Sequence, residues 1–193
     1  TMDDDIPNIR SKIFHSAMHT LNLNNHQFDD STIESVVDTL LPSQRIIILG
    51  YGTSAVVAYD LYVKLTRLGY KCYYSFDTHV TALALSEPAE GDVVFAISFS
   101  GESKDIVYQC KAVKGLDPII SLTGELDSPL AKTSDICITV KSYETTYHTD
   151  AMISRIVQIA VIDVIFTALA VKGGTKSIAR LTRARQGLSF LKF

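Results

Sequence analysis

Cysteine is scarce in this chain and tryptophan is missing altogether: the 193 residues include 3 cysteines and no tryptophan. The three cysteines, Cys72, Cys110 and Cys137, lie far apart and form no Cys-x-x-Cys pair. This spacing excludes a disulfide framework and the usual cysteine-based zinc sites. Each cysteine lies within an apolar pattern, so we expect all three to be reduced core residues.

A strong excess of one charge is also missing. The chain has 18 basic and 21 acidic side chains, and its net charge of -3 does not suggest nucleic-acid binding. Residues 1–5 are acidic rather than basic, unlike the start of a signal peptide. The longest apolar stretch, 156–171, contains Gln158, Asp163 and Thr167. We interpret it as a buried helix, too short and too polar for a membrane span, and expect a cytoplasmic protein.

Strand and helix patterns alternate from Arg45 onward. β-branched apolar runs predict five strands, at 46–49, 70–75, 93–97, 118–122 and 136–140. Helical periodicity predicts helices between them, and others at about 150–171 and 175–186. This alternation favours a parallel sheet covered on both faces. We therefore predict an α/β fold, a three-layer α-β-α sandwich around a five-stranded parallel sheet.

Two further helices are predicted before the sheet. The first covers 6–23 and is ended by the asparagines at 22–25, and the second begins at Ser31, where Glu34 completes a capping box. The chain then divides into N-terminal helices over 1–44, a main domain over 45–171, and a basic helix or tail over 172–193.

Two segments that end apolar strands carry the functional signal. One is Gly50-Tyr51-Gly52-Thr53-Ser54, and the other is Ser98-Phe99-Ser100-Gly101-Glu102-Ser103. Each leads from a predicted strand into a helix, and Thr123 follows a third strand. Glycines let a backbone approach a ligand, and a helix N-terminus attracts anions. Either segment alone is equally well explained as turn and cap chemistry, but together they predict a pocket for a phosphorylated small molecule.

Two nucleotide-binding motifs are excluded. The first segment contains Gly-x-Gly, but Ala55 stands where a dinucleotide-binding loop would have its third glycine. The Gly-Lys-Ser/Thr of a P-loop is absent as well.

The two segments resemble the loops of SIS domains, the sugar isomerase fold that binds phosphosugars. Residues 98–103 are similar to the family's Ser-x-Ser-Gly-x-Ser/Thr phosphate loop, and residues 50–54 to its sugar-side loop. The chain further resembles the C-terminal effector domain of RpiR-type transcriptional regulators. The residues that carry this second resemblance are Ser54, Asp60, Lys64, Leu65, Leu68, Gly69, Asp77, Thr78, His79, Ser154, Arg155, Ile156, Ile162, Asp163 and Val164.

The resemblance implies roles for these loops. Ser98, Ser100 and Ser103 would hold the phosphate, helped by the backbone N–H groups around Gly101 and Glu102. A second set, Gly52, Thr53 and Ser54, would face the sugar. Neither loop contains a lysine or arginine, so neutral donors would bind the anion, and no metal or cofactor is implied.

Three side chains could supply acid–base chemistry. Glu144 and His148 lie in the segment before the long helix, and His79 follows Asp77 at a strand–helix junction. In SIS enzymes a glutamate in the region of Glu144 can act as a base. A solvated loop residue is the alternative for the first two, and a capping or core histidine is the alternative for His79.

Other charged positions have structural explanations. Asp163 lies in an apolar helix, where burial requires a partner. Arg155 is expected to pair with an acid such as Asp60 or Asp77, and the alternative is that it reaches the pocket of a neighbouring subunit. The six basic residues of 172–193 are typical of a solvated face, with a subunit contact or a contact near DNA as the alternative.

Three functions follow, in order of preference. The first is a sugar-phosphate-sensing effector domain that binds its ligand without turnover. The second is an aldose–ketose sugar-phosphate isomerase, and the third is a dimer module with an inert pocket. Residues 1–42 contain no basic recognition helix, so DNA binding would require a helix-turn-helix domain absent from this chain. A homodimer or higher homo-oligomer packed through helices is expected, and no membrane partner.

Overall fold

The computed structural model describes residues 4–142 and 152–189. Five strands form one sheet: β1 Arg45–Leu49, β2 Cys72–Tyr74, β3 Asp92–Ile97, β4 Ile119–Thr123 and β5 Ile136–Thr139. The helices are α1 Ile6–Gln27, α2 Asp30–Leu40, α3 Ala55–Arg67, α4 Thr78–Leu85, α5 Lys104–Val113, α6 Pro129–Thr133, α7 Met152–Lys172 and α8 Gly174–Gly187. A short 3-10 turn, Gly52–Ser54, precedes α3.

All strand pairs are parallel, and the strand order is β2-β1-β3-β4-β5. The chain moves outward from β1 to β2, returns to β3 on the other side of β1, and continues from there. The direction in which successive strands are added to the sheet therefore reverses between β1 and β3, and ligands bind at such a point in open α/β sheets.

Alternate residues of β1 face the hydrophobic cores on opposite sides of the sheet. Ile46 and Ile48 pack with α2, α3 and α7, while Ile47 and Leu49 pack with α4, α5 and α6. The three-layer α/β prediction is confirmed.

Helix α1 is longer than predicted. The asparagines at 22–25 do not end it, and it continues to Gln27. Asn24 is buried, and its polar side chain is satisfied there: the amide donates to Thr20 O at 2.8 Å and to Lys141 O at 2.7 Å. Its oxygen accepts from Lys141 N at 2.8 Å. This pairing with the backbone after β5 offsets the low helix propensity of asparagine.

The capping box at Ser31 is also wrong. Asp29 is the N-cap of α2, and its carboxylate accepts from Ser31 N at 3.1 Å and from the Ser31 hydroxyl at 2.7 Å. A carboxylate satisfies the free N–H groups of the first turn as well as a serine would. Strand β2 is shorter than the predicted 70–75, beginning at Cys72.

Helix α7 is the core helix of the first face. Among the described residues it is the one helix long and apolar enough to cross a membrane, so the prediction that this stretch is too short and too polar was wrong. Core helices of globular proteins pass the same test, and Val157, Val161, Ile162 and Ile165 of α7 are buried against the sheet side of the fold. Asp163 is exposed rather than buried, and it pairs with Lys64 of α3 at 2.7 Å.

Candidate functional site

The two predicted loops leave adjacent strands at the same edge of the sheet. Leu49 at the end of β1 is paired with Ala96 of β3, so the segments that follow these residues emerge side by side. This is the point where the strand order changes direction. The fold therefore brings together residues 50–54 and 98–103, as predicted from sequence.

The loop after β1 has a backbone open to a ligand. Gly52 adopts φ +56°, and a Cβ at this position would meet nothing within 4 Å. Gly52 and Thr53 are exposed, while Ser54 is buried and donates its backbone N–H to Tyr51 O at 3.1 Å. Gly50 has a different role, because a Cβ there would lie 2.6 Å from the Ala58 Cβ. The absence of a side chain at Gly50 thus lets α3 start directly against β1.

Two tyrosines support this loop from behind. The Tyr74 hydroxyl lies 3.3 Å from Gly50 O and 3.2 Å from Ala55 O, and burial raises the pKa of Tyr74 to about 12. The Tyr51 hydroxyl donates to Gln109 Oε1 at 3.0 Å, and Gln109 in turn donates to Thr78 O at 3.0 Å. Both tyrosines are neutral at ordinary pH and hold the loop as hydrogen-bond donors. Sequence reasoning missed these contacts, because the residues involved lie on separate elements.

The loop after β3 presents three serine side chains at different depths. Ser98 is buried, and its Oγ lies 3.0 Å from the Oγ of Ser103. Ser100 and Ser103 are exposed. Gly101 N donates to Ser98 O at 3.1 Å, which closes the turn, and Glu102 N donates to Ser100 Oγ at 3.3 Å. The hydroxyls of Ser98 and Ser103 are thereby held as a pair.

Gly101 is the tightest point of this loop. Its φ is +63°, and a Cβ built on it would lie 2.1 Å from Ser128 Oγ and 2.9 Å from Thr123 Oγ1. Its carbonyl accepts from Leu130 N at 3.0 Å. The start of α6 thus fixes the loop, and no side chain larger than hydrogen fits at Gly101.

Thr123 lies behind the loop rather than on its open side. It is fully buried, and its hydroxyl donates to Phe99 O at 3.1 Å. Gly124 N donates to the same carbonyl at 2.8 Å. Thr123 was predicted as a ligand contact; in the structure its hydroxyl bonds the backbone of the loop 98–103 from behind.

The first turn of α5 offers unpaired donors next to these serines. Ser103 is the N-cap of α5, and its side chain makes no capping hydrogen bond. The first N–H groups of a helix have no partner within the helix, and the helix dipole adds partial positive charge there. Hydroxyls and backbone N–H groups at a helix start form a favourable site for a phosphate group.

The acid–base candidates are not brought to this site by any described contact. His79 is exposed in the first turn of α4, where its backbone N–H donates to the Asp77 carboxylate at 2.8 Å. Asp77 is therefore the N-cap of α4, and His79 is neither the capping nor the core histidine that was the alternative for it. Glu144 and His148 lie outside the described residues. Among the described residues there is also no group of three histidine, cysteine or acidic side chains that could hold a metal ion.

Comparison with known proteins identifies the fold family. Residues 39–168 match the model of the SIS domain. The chain belongs to the SIS domain family. Its match begins before β1 and ends within α7, so it includes both loops of the candidate site.

Relatives of this SIS domain are named as transcriptional regulators. It is 37% identical over 192 residues to an uncharacterized HTH-type transcriptional regulator of Thermotoga maritima, covering 99% of this chain and 68% of the relative. It is 32% identical over 191 residues to the HTH-type transcriptional regulator HexR of Escherichia coli K12, covering 99% of this chain and 66% of HexR. The chain thus spans about two thirds of the length of these relatives.

Solved structures share the fold. The structure of Vibrio vulnificus NanR in complex with ManNAc-6P superposes with a TM-score of 0.89 at 24% identity, covering 99% of this chain and 71% of NanR. The sugar isomerase domain of an RpiR transcription factor from Sphaerobacter thermophilus superposes with a TM-score of 0.83 at 21% identity, covering 95% of this chain and 99% of that chain. The resemblance to SIS domains is thus confirmed at the level of family, and the resemblance to RpiR-type domains at the level of fold.

Proposed function

We propose that this SIS domain is the effector domain of a transcriptional regulator and binds a sugar phosphate without turning it over. The observation that carries the proposal is the loop 98–103, where Ser98 and Ser103 are paired at 3.0 Å beside the uncapped start of α5. Neutral donors at a helix N-terminus suit a phosphate group. The open backbone at Gly52, in the turn after the neighbouring strand, suits the sugar.

The relatives support regulation rather than metabolism as the purpose of binding. Those at 37% and 32% identity are named HTH-type regulators, and NanR was solved with a sugar phosphate bound. In the proposal, DNA is contacted through a helix-turn-helix domain outside residues 1–193. The ligand acts by binding one arrangement of the protein more tightly than another. A cytoplasmic location follows from this role.

A homodimer is part of the proposal. The second half of α1 packs on α7, but the apolar face of its first half is uncovered: Ile6 is 76% and Ile9 44% exposed. Ile156 and Val164 of α7 are also exposed. A second copy of the chain would cover these side chains and would give ligand binding a subunit arrangement to change.

The alternative is an aldose–ketose isomerase, which needs a base positioned near the substrate carbons. Glu144 is the candidate, with His79 and His148 as further ones. Replacement Glu144→Gln distinguishes the two functions. A sensor keeps binding and has no turnover before or after the change, whereas an isomerase keeps binding and loses its turnover.

A thermal-shift screen tests the proposal directly. The panel contains ManNAc-6P, hexose 6-phosphates, pentose 5-phosphates and amino-sugar phosphates, with inorganic phosphate as the control. A ligand at a hundredfold excess over its Kd adds about 2.7 kcal/mol to the free energy of unfolding, which raises Tm measurably.

The chemical fate of the hit decides the rest. Recovery of the sugar phosphate unchanged supports the sensor, and conversion to its ketose or aldose supports the isomerase. If no member of the panel raises Tm, the proposal fails and an inert dimer module remains.

A further inference from the structure

An ion triad joins the helix of the sugar-side loop to the core helix α7. The ammonium group of Lys64 donates to the Asp60 carboxylate at 2.5 Å and contacts the Asp163 carboxylate at 2.7 Å. Asp60 and Lys64 lie one turn apart on α3, and Asp163 lies on α7. All three residues belong to segments that resemble RpiR-type domains in sequence. None of them was placed in either loop of the candidate site.

The three side chains of the triad differ in how far they are exposed to water. The Lys64 side chain is 15% exposed, and that of Asp60 is 31% exposed. Burial alone would lower the pKa of Lys64, but its hydrogen bonds to Asp163 and Asp60 outweigh burial and raise it. The lysine is therefore charged at all physiological pH values. Its contact with Asp60 is partly shielded from water, whereas Asp163, whose side chain is 58% exposed, is screened more strongly.

Apolar packing between α3 and the core does not by itself fix where α3 lies along its axis. The inner face of α3 consists of fully buried small and aliphatic side chains, among them Val57, Ala58, Leu61 and Leu65. Such contacts are close-packed and oppose large movements of the helix, but they are non-directional and give it no fixed bonding geometry. A lysine held between carboxylates on two helices has a preferred geometry, and it opposes that movement.

The position of α3 determines the position of the sugar-side loop. The turn Gly52–Ser54 runs directly into α3, and Lys64 lies ten residues beyond Ser54, about 15 Å along the helix axis. The phosphate loop is attached differently, because it leads into α5 and is pinned by Leu130 N and the hydroxyl of Thr123. A change at the triad should therefore reach the sugar-side loop through α3, against the hold of the Tyr74 and Tyr51 hydroxyls, whereas the phosphate loop is not joined to α3.

We propose that Lys64 is a positioning residue, which by bridging Asp60 and Asp163 fixes α3 on α7 and so sets the sugar-side loop relative to the phosphate loop. Its effect on ligand affinity rests on the proposed function. Because α7 also packs on α1, the same triad links the site to the helices proposed to meet a second copy.

The first experiment compares amide hydrogen exchange in the ligand-free full chain for wild type, Lys64→Met, Lys64→Arg and Lys172→Met. Lys172 is the control, because it also ties α7 to a neighbouring helix, through Asp38 of α2 at 2.8 Å, but it does not touch α3. We expect Lys64→Met to speed exchange severalfold in residues 51–58, with β3 and β4 unchanged. Lys64→Arg, which keeps the charge, and Lys172→Met should behave as wild type.

Two results would overturn the proposal. One is wild-type exchange at residues 51–58 in Lys64→Met. The other is an equal rise there and in β3 and β4, which would mean that the triad only stabilises the fold. If Lys64→Met does not fold, Asp163→Asn removes one arm of the triad and is judged by the same criteria.

A second experiment uses calorimetric titration with inorganic phosphate and with ManNAc-6P or another panel member that binds the wild type. Lys64→Met should keep the wild-type Kd for inorganic phosphate and weaken the sugar phosphate about tenfold, and Lys64→Arg should restore it. Equal weakening of both ligands contradicts a role confined to the sugar-side loop. If the wild type binds no sugar phosphate, the proposed function fails, and the exchange experiment still decides the role of Lys64.

Discussion

At the scale of single residues, Gly101 shows how closely the loop 98–103, the proposed phosphate loop, is built into the fold. Its positive φ and the nearness of Ser128 and Thr123 are independent reasons for glycine at this position. Gly115 has the first property without the second, since its φ is +83° but a Cβ there would meet nothing within 4 Å. A comparison of alanine substitutions at the two glycines therefore distinguishes the cost of backbone strain from the cost of steric overlap.

We expect Gly101→Ala to lower the free energy of unfolding by about 2–4 kcal/mol, because the left-handed backbone and the overlap with Ser128 both oppose an alanine. Phosphate binding should be lost with it. Gly115→Ala should cost only about 1–2 kcal/mol. Urea unfolding of both variants measures the difference, and equal losses would contradict the packing argument.

Asp117 is a second residue whose environment leads to a prediction, here about how stability depends on pH. It is 6% exposed, two residues before β4, and among the described residues its Oδ2 has no hydrogen-bond partner. Burial, together with the nearby charge of Asp92, raises the pKa of Asp117. Asp92 itself pairs with Arg45, and although burial opposes it, this pairing lowers the pKa of Asp92.

The signs of these two pKa shifts are opposite, so the two acids should respond oppositely to pH. The ionised form of Asp117 destabilises the fold above its raised folded-state pKa, and the penalty disappears as pH falls through that value. Asp117→Asn should therefore raise the urea midpoint at pH 7 and have a smaller effect near pH 4. Asp92→Asn should lower the midpoint at pH 7, because the contribution of the Arg45 pair is present above the unfolded-state pKa of Asp92 and is lost as pH falls through its folded-state pKa. The prediction for Asp117 is wrong if its replacement lowers the midpoint at pH 7.

At the scale of elements, Asn24 attaches α1 to the end of the sheet. Its side chain pairs with both the N–H and the carbonyl of Lys141, just beyond β5. No helical or strand period predicts this bond, because the two residues are 117 positions apart.

Replacement of Asn24 by alanine would leave both backbone groups of Lys141 without this partner. Since each of these partly buried hydrogen bonds contributes about 0.5–1.5 kcal/mol, we expect Asn24→Ala to destabilise the protein by about 1–3 kcal/mol. Asn25→Ala is the matched control, because Asn25 is exposed on the same helix and should change stability by less than about 0.5 kcal/mol. Thermal unfolding compares them, and similar Tm values for the two variants would show that Asn24 does not anchor α1.

At the scale of the whole molecule, the uncovered apolar residues lie on both sides of the sheet. Ile6 and Ile9 begin α1, on the face that also carries α7, whereas Leu83, which is 70% exposed, lies on α4 across the sheet. The proposed homodimer uses the first of these surfaces.

Sedimentation velocity tests this assignment. Wild type should sediment as a dimer at micromolar concentration, and Ile9→Lys should shift it toward monomer, because a charge would be placed in an apolar contact. Leu83→Lys should leave the dimer intact. A monomeric wild type, or a dimer that only Leu83→Lys disrupts, contradicts the assignment.

Much of the fold could be predicted because its signals are local. The five strands were found within about two residues, since a buried parallel strand is a continuous apolar run, and the loops after β1 and β3 were found because glycines and serines follow those runs. Local signals failed where two residues compete for one role, as Asp29 and Ser31 do at the start of α2. They also failed at Asp163, where helical context predicted burial of a carboxylate that the structure leaves exposed.

By itself, the sequence determined the strand–helix alternation, the parallel sheet and the two loops at its carboxyl edge, because periodicity and turn chemistry act over a few residues. Only the tertiary structure decided that Thr123 lies behind the phosphate loop, that Asn24 binds the backbone of Lys141, and that Lys64 bridges Asp60 and Asp163. These contacts join residues far apart in the chain. Their partners are chosen by how the helices pack on the sheet, and that packing is a property of the whole molecule rather than of any segment.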